Sequence, residues 1–121
     1  MIFVVAILAG GLAAAIRYLV TVAFAGRGAL PWAVFIVNSV GSALGGATVG
    51  LATALAISPD VRLILIGGVA GGLTTFSTWS VETVQLLMER KLRAAIANVV
   101  LGLSVGIAAA ASGYLLATAL S

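Results

Sequence analysis

The 121-residue chain is 63% hydrophobic and only 7% charged, with six basic residues against three acidic ones. Soluble domains carry about 25% charged residues, so a soluble globular protein is excluded and an integral membrane protein remains, with room for four spans of about 20 residues each and little else. The absence of Cys and His removes thiol catalysis, disulfides, haem ligation and nearly all transition-metal sites, and the scattered cations do not form the basic stripe that nucleic-acid binding needs.

The first span is expected over residues 2–25. The opening Met1-Ile2-Phe3 lacks the basic region of a signal peptide, so this segment reads as a retained helix. Gly10, Gly11 and a run of Ala give it one smooth face. Arg17-Tyr18 lies near its end. The plainer reading of Arg17 is a snorkelling anchor beside an aromatic-belt tyrosine. The functional reading is a vestibule cation that raises the local anion concentration. A short loop containing Arg27 follows.

Pro31 is suited to the first turn of a second span, read as residues 31–57 with Trp32 at the interface. The pairs Gly41/Gly45 and Gly46/Gly50 have the spacing that lets helix backbones approach closely. Asn38 lies deep in this span. A buried amide is costly unless bonded, so it makes either an interhelical bond or a donor lining a pathway, and Ser42 projects the same way. Ser58-Pro59-Asp60 makes a tight connection, with Ser58 or Asp60 able to cap the next helix.

The third span, read as residues 61–88, holds the most unusual stretch, GGVAGGLTTFSTW at Gly67–Trp79. Its four glycines each cost about 1 kcal/mol of helix propensity relative to Ala. Thr74, Thr75, Ser77 and Thr78 follow, with Phe76 and Trp79 three apart. Irregular backbone at membrane depth is tolerated only where protein buries it or it lines a polar cavity. The helix is therefore expected to unwind near Gly71–Thr75 and to form an ion site. Freed carbonyls at such a break suit a hard cation such as Na⁺. The positive edges of Phe76 and Trp79 suit a small anion, with Asn38, Ser77 and Thr78 as hydrogen-bond donors. The plainer reading of the two aromatics is core packing. Glu82 reads as an acid near the helix end; a proton-relay role would need a second intramembrane acid.

Glu89-Arg90-Lys91-Leu92-Arg93 is the most charged loop, and the fourth span is read as residues 94–120. Asn98, Gly102 and Gly106 recur every four residues along it and form a small, partly polar stripe. Arg27, Arg90, Lys91 and Arg93 fall on one side of the membrane and Arg62 on the other, which favours loops 1 and 3 in the cytoplasm. Small residues on every span point to an oligomer.

These residues together resemble the Fluc (CrcB-type) fluoride channels over nearly the whole chain. The resemblance is carried by GG with Arg17-Tyr18, by Pro31 with Val37-Asn38-Ser39-Val40-Gly41-Ser42, and by Gly71-Gly72-Leu73-Thr74-Thr75-Phe76-Ser77-Thr78-Trp79-Ser80-Val81-Glu82. It implies an all-α, four-helix subunit with a broken third span, in the plasma (inner) membrane, paired as an antiparallel dual-topology dimer. It implies two fluoride pores lined at Asn38, Ser42, Phe76, Ser77, Thr78, Trp79 and Asn98, with Arg17 in a vestibule. It also implies a structural Na⁺ on the dimer axis held by the backbone carbonyls of Gly71 and Thr74, and passive export of cytoplasmic fluoride. The partner is a second copy or an oppositely oriented paralogue. Trp79 departs from the family, where a second Phe is usual, and the span-4 stripe lacks the family's Tyr/Ser track. The competing expectations are a small proton-coupled drug exporter, which needs an acid that residues 2–25 lack, and a non-transporting structural protein. An enzyme is not expected, since no nucleophile, base and orienting group can be assembled.

Overall fold

The computed structural model describes residues 1–26, 28 and 30–121. Arg27, used above in the charge bias, lies outside the described residues. The chain is all-helical, with four helical segments long and apolar enough to cross a membrane. Helix α1 is Ile2–Ala23 and α2 is Trp32–Thr53. The third span starts as Pro59–Arg62, widens into a π-helix over Leu63–Ala70 and closes with Gly71–Leu73; we call residues 59–73 α3. After a break, α4 is Phe76–Met88, and α5 is Leu92–Leu120.

Local chemistry sets these limits. Ser58 caps α3 by accepting from the Val61 amide at 3.3 Å, with Pro59 in the first turn, where its missing N–H is harmless. Helix α2 stops at Thr53, short of Ile57, because Leu55 turns left-handed at φ 57°. The Ala56 amide then bonds back to the Leu51 carbonyl at 2.8 Å, the reversal that ends helices in Schellman motifs. Hydroxyls inside the spans fold back on their own helix. Ser39, Thr48 and Thr74 each donate to the carbonyl four residues earlier at 2.7–2.9 Å, which satisfies them where no water is available.

The helices pair as α1 with α3 and as α2 with α5, and glycines decide how closely. A Cβ at Gly68 would stand 2.7 Å from the Ala6 carbonyl oxygen, and one at Gly72 would strike the Gly10 carbonyl. Likewise a Cβ at Gly46 would strike the Ala110 carbonyl, and one at Gly113 the Ala43 carbonyl. Close backbone approach of this kind supplies the dispersion contact that drives helix association in lipid. Ala13, Val37 and Leu73, from α1, α2 and α3, form a buried apolar cluster beside the break, with Val20 and Val69 packed on it. Elsewhere large apolar side chains such as Phe3, Ile7, Leu8 and Leu12 face outward, as lipid contact requires.

The glycines do not unwind the third span, contrary to the expectation from propensity. Gly67, Gly68, Gly71 and Gly72 all remain helical, and the extended backbone is confined to Thr74 (φ −83°, ψ 156°) and Thr75 (φ −149°, ψ 120°). Gly68 and Gly72 serve contact with α1 instead, and that packing outweighs their weak propensity. The pair Gly67 and Gly71 stays exposed on the outer face.

Candidate functional site

The break at Thr74–Thr75 is built by three residues. Asn38 on α2 spans the Thr75 backbone as another strand would. Its Oδ1 accepts from the Thr75 amide at 2.7 Å, and its Nδ2 donates to the Thr75 carbonyl at 3.0 Å. In a continuing helix the Thr75 amide would bond the Gly71 carbonyl, so Asn38 diverts the very donor whose loss ends α3. Thr75 then starts the next half-helix. Its Oγ1 accepts from the Thr78 amide at 3.1 Å, a standard N-cap, and donates to Thr78 Oγ1 at 3.0 Å. Gly41 leaves room for the break, since a Cβ there would strike the Thr74 methyl group.

The two half-helices present opposite ends. At the close of α3, the Gly71–Thr74 carbonyls lie at a negative dipole end. Arg17 Nη1 on α1 lies 3.5 Å from the Thr74 carbonyl oxygen, a long donor contact. The start of α4 is a positive end.

Beside the break runs a groove of about 460 Å³, walled by α2, α4 and α5. Phe35, Asn38 and Ser42 come from α2, Thr74 and Thr75 from the break, and Phe76 and Trp79 from α4. Asn98, Gly102 and Gly106 line it from α5. Among the described residues, none that lines the groove is charged. Asn38 has two amide hydrogens, and one is committed to Thr75; the other, with the Ser42 hydroxyl, is left to face the groove. The Phe76 and Trp79 ring centroids are 5.6 Å apart with their planes tilted by 58°. Phe76 is 75% exposed, so the groove is open on that side.

Trp79 is held differently. Its Nε1 donates to the Asn98 backbone carbonyl at 3.2 Å. The Asn98 amide, only 4% exposed, donates to Thr83 Oγ1 at 2.8 Å, and Thr83 donates to the Trp79 carbonyl at 2.8 Å.

The structure therefore brings Asn38, Ser42, Phe76, Trp79 and Asn98 to one groove, together with Thr74. Ser77 and Thr78 do not line it. Both are exposed, and they belong to the cap around Thr75. Gly71 is exposed on the outer face of α3, in a shallow hollow with Gly67, Phe3 and Ile7. Thr75 and Phe35 are among the groove residues that escaped the reading of the sequence, as did Leu103, Ile107 and Ala110 on the apolar side of α5. Thr75 was one hydroxyl among several, although a threonine directly before a helical stretch is an N-cap signal. Phe35 precedes Asn38 by three and Ser42 by seven, the spacing of one helix face.

Glu82 lies apart from this groove. It shares a second, more polar hollow of about 430 Å³ with Gln85, Glu89, Lys91 and Trp32, at the end where loops 1 and 3 meet. There Lys91 and Glu89 form an exposed ion pair at 2.9 Å, of a kind that contributes little to stability.

Comparison with known proteins gives these features a context. Residues 4–114 match the family model described as CrcB-like protein, Camphor Resistance (CrcB). The chain is 41% identical over 102 residues to the fluoride-specific ion channel FluC 1 of Thermobifida fusca, covering 83% of this chain and 82% of that one. It is 40% identical over 112 residues to FluC 2 of Mycolicibacterium paratuberculosis, covering 91% and 88%. With FluC 2 of Mycobacterium bovis it shares 36% identity over 118 residues, covering 96% and 90%.

Proposed function

We propose that this chain, which belongs to the CrcB-like family, is a passive channel through which cytoplasmic fluoride leaves the cell across the plasma membrane. The observation that carries the reading is the uncharged groove beside the helix break. An anion passing through a pore must bind firmly enough to enter and weakly enough to leave. A fixed positive charge in the groove would hold fluoride too long. Neutral donors on Asn38 and Ser42, with the positive ring edges of Phe76 and Trp79, offer weaker and successive contacts. Arg17 stands outside the groove, where it raises the anion concentration at the vestibule.

A single subunit leaves the groove open beside Phe76, so a second copy packed antiparallel against it completes the conduction path. The exposed Gly67 and Gly71 face suits close approach of that copy. A Na⁺ ion on the shared axis fits the donors present. The Gly71 and Thr74 carbonyls are hard oxygen ligands at a helix C-terminus, with no carboxylate beside them to favour a divalent ion. Gly71 has lost the amide of Thr75 to Asn38, which leaves its carbonyl available. Such an ion would neutralise the carbonyl dipoles where the two breaks meet, and so hold the subunits together. A proton-coupled exporter is disfavoured because no acid lines the groove.

The role is tested in cells that lack their own fluoride export. Expression of this chain should restore growth in millimolar fluoride, and Asn38→Asp should abolish the rescue. Growth that stays fluoride-sensitive, with the protein present in the membrane, would refute the proposal.

A further inference from the structure

Among the groove residues, Trp79 is the one that hydrogen bonds hold from both its ring and its backbone. The bonds form a closed circuit. The indole N–H donates to the Asn98 backbone carbonyl, the Asn98 side-chain amide donates to the Thr83 hydroxyl, and that hydroxyl donates to the Trp79 backbone carbonyl, at 3.2, 2.8 and 2.8 Å. Gly102 lies one turn beyond Asn98, and a Cβ there would stand 2.8 Å from the indole Nε1. The indole thus occupies space that only glycine leaves on α5. Phe76 lacks only the tie at the ring: Ser80 donates to its carbonyl at 2.9 Å as Thr83 does to that of Trp79, but the residue is 75% exposed and its ring carries no polar atom.

We infer that Asn98 and Thr83 are positioning residues that lock the Trp79 indole as a rigid wall of the groove, and that this wall sets discrimination between anions of different size. The inference rests on the channel reading above. Asn98 commits one of its two amide hydrogens to Thr83 and its backbone carbonyl to the indole. Its effect reaches the groove through the ring. A ring free to swing would yield to an anion larger than fluoride, such as chloride. A ring held at its nitrogen by α5 and fitted against Gly102 does not yield. The contrast with Phe76 divides the two aromatics into one ring that its own subunit holds by a hydrogen bond and one that it does not.

The test uses the full chain in lipid nanodiscs and in liposomes, with Trp32→Phe as the background so that Trp79 gives a single indole signal. Thr83→Val removes the hydroxyl that ties the Asn98 side chain to α4, and Asn98→Leu breaks the same bond from the other side should Thr83→Val fail to fold; both keep the Asn98 backbone carbonyl that accepts from the indole and act by loosening α5 against α4. Either variant should speed solvent exchange of the Trp79 indole proton and raise the chloride-to-fluoride permeability ratio, each by roughly 2- to 10-fold, the span expected for one net hydrogen bond. Thr83→Ser should behave as the parent. In a Trp79→Phe background, Thr83→Val should leave the permeability ratio unchanged. An unaltered indole signal in Thr83→Val, or an equal change in ratio when Trp79 is already Phe, would overturn the inference. If the parent carries no fluoride at all, the channel reading fails, while the indole exchange still judges the hydrogen-bond circuit on its own.

Discussion

Asn38 carries more of the site than any other single side chain, because both ends of its amide are bound to the Thr75 backbone. Replacing it with Ala strands a buried amide and a carbonyl. Each unsatisfied group costs about 1–3 kcal/mol, so Asn38→Ala should lower the thermal midpoint in detergent as well as the flux. Asn38→Asp keeps an acceptor for the Thr75 amide but sets a carboxylate against the Thr75 carbonyl and in the anion path. It should cost stability by a similar amount and reduce fluoride flux more severely than Ala. A variant that loses flux while keeping full stability would show that Asn38 serves the ion alone and not the break. The residue was legible in the sequence as a deep amide on a membrane helix. Its partner was not, since nothing in the spacing of Asn38 and Thr75 along the chain announces a contact between α2 and the break. The same limit hid Thr83, whose hydroxyl matters only because α5 brings Asn98 to it.

At the scale of helices, glycines that look alike in sequence do different work. Gly46 and Gly72 each face a neighbouring backbone, whereas a Cβ on Gly45 or Gly11 would meet nothing within 4 Å. Gly46→Ala and Gly72→Ala should each destabilise by about 1–3 kcal/mol, the usual cost of overpacking. Gly45→Ala and Gly11→Ala should be near neutral or slightly stabilising, since Ala is the better helix former. Chemical or thermal unfolding of the four variants checks this, and equal losses at all four would remove the packing account. The four-span layout was readable because apolar runs separated by Pro31, Pro59 and the charged stretch at residues 89–93 leave few alternatives. The break was located only approximately. Propensity pointed to the glycines, yet Gly68 and Gly72 are held helical by α1, and the chain opens at the two threonines where Asn38 supplies substitute hydrogen bonds.

At the scale of the whole molecule, the proposed conduit is open on one side in a single subunit. The groove is open beside Phe76, and Gly67 and Gly71 leave a smooth outer face. The proposed antiparallel pairing predicts that a tag on the C-terminus is accessible from both sides of the membrane. Labelling from one side only would exclude a dual-topology homodimer and leave an oppositely oriented paralogue as the partner. The proposed Na⁺ would lie near the Thr74 carbonyl that Arg17 also approaches at 3.5 Å, so the two cations oppose each other there. Arg17→Gln should therefore lower the Na⁺ concentration needed to keep the dimer together in detergent, as read by size-exclusion chromatography across a Na⁺ series. A higher requirement would place Arg17 among the groups that support the cation.

The proposed function requires the neutral groove beside the Thr74–Thr75 break to conduct fluoride and not larger halides. Efflux from liposomes holding the purified chain, followed with fluoride- and chloride-selective electrodes under the same gradient, tests it most directly. Rapid, passive fluoride release, little chloride release, and loss of the fluoride signal in Phe76→Ile are expected. Equal release of both halides, or fluoride release that appears only under an imposed proton gradient, would contradict it.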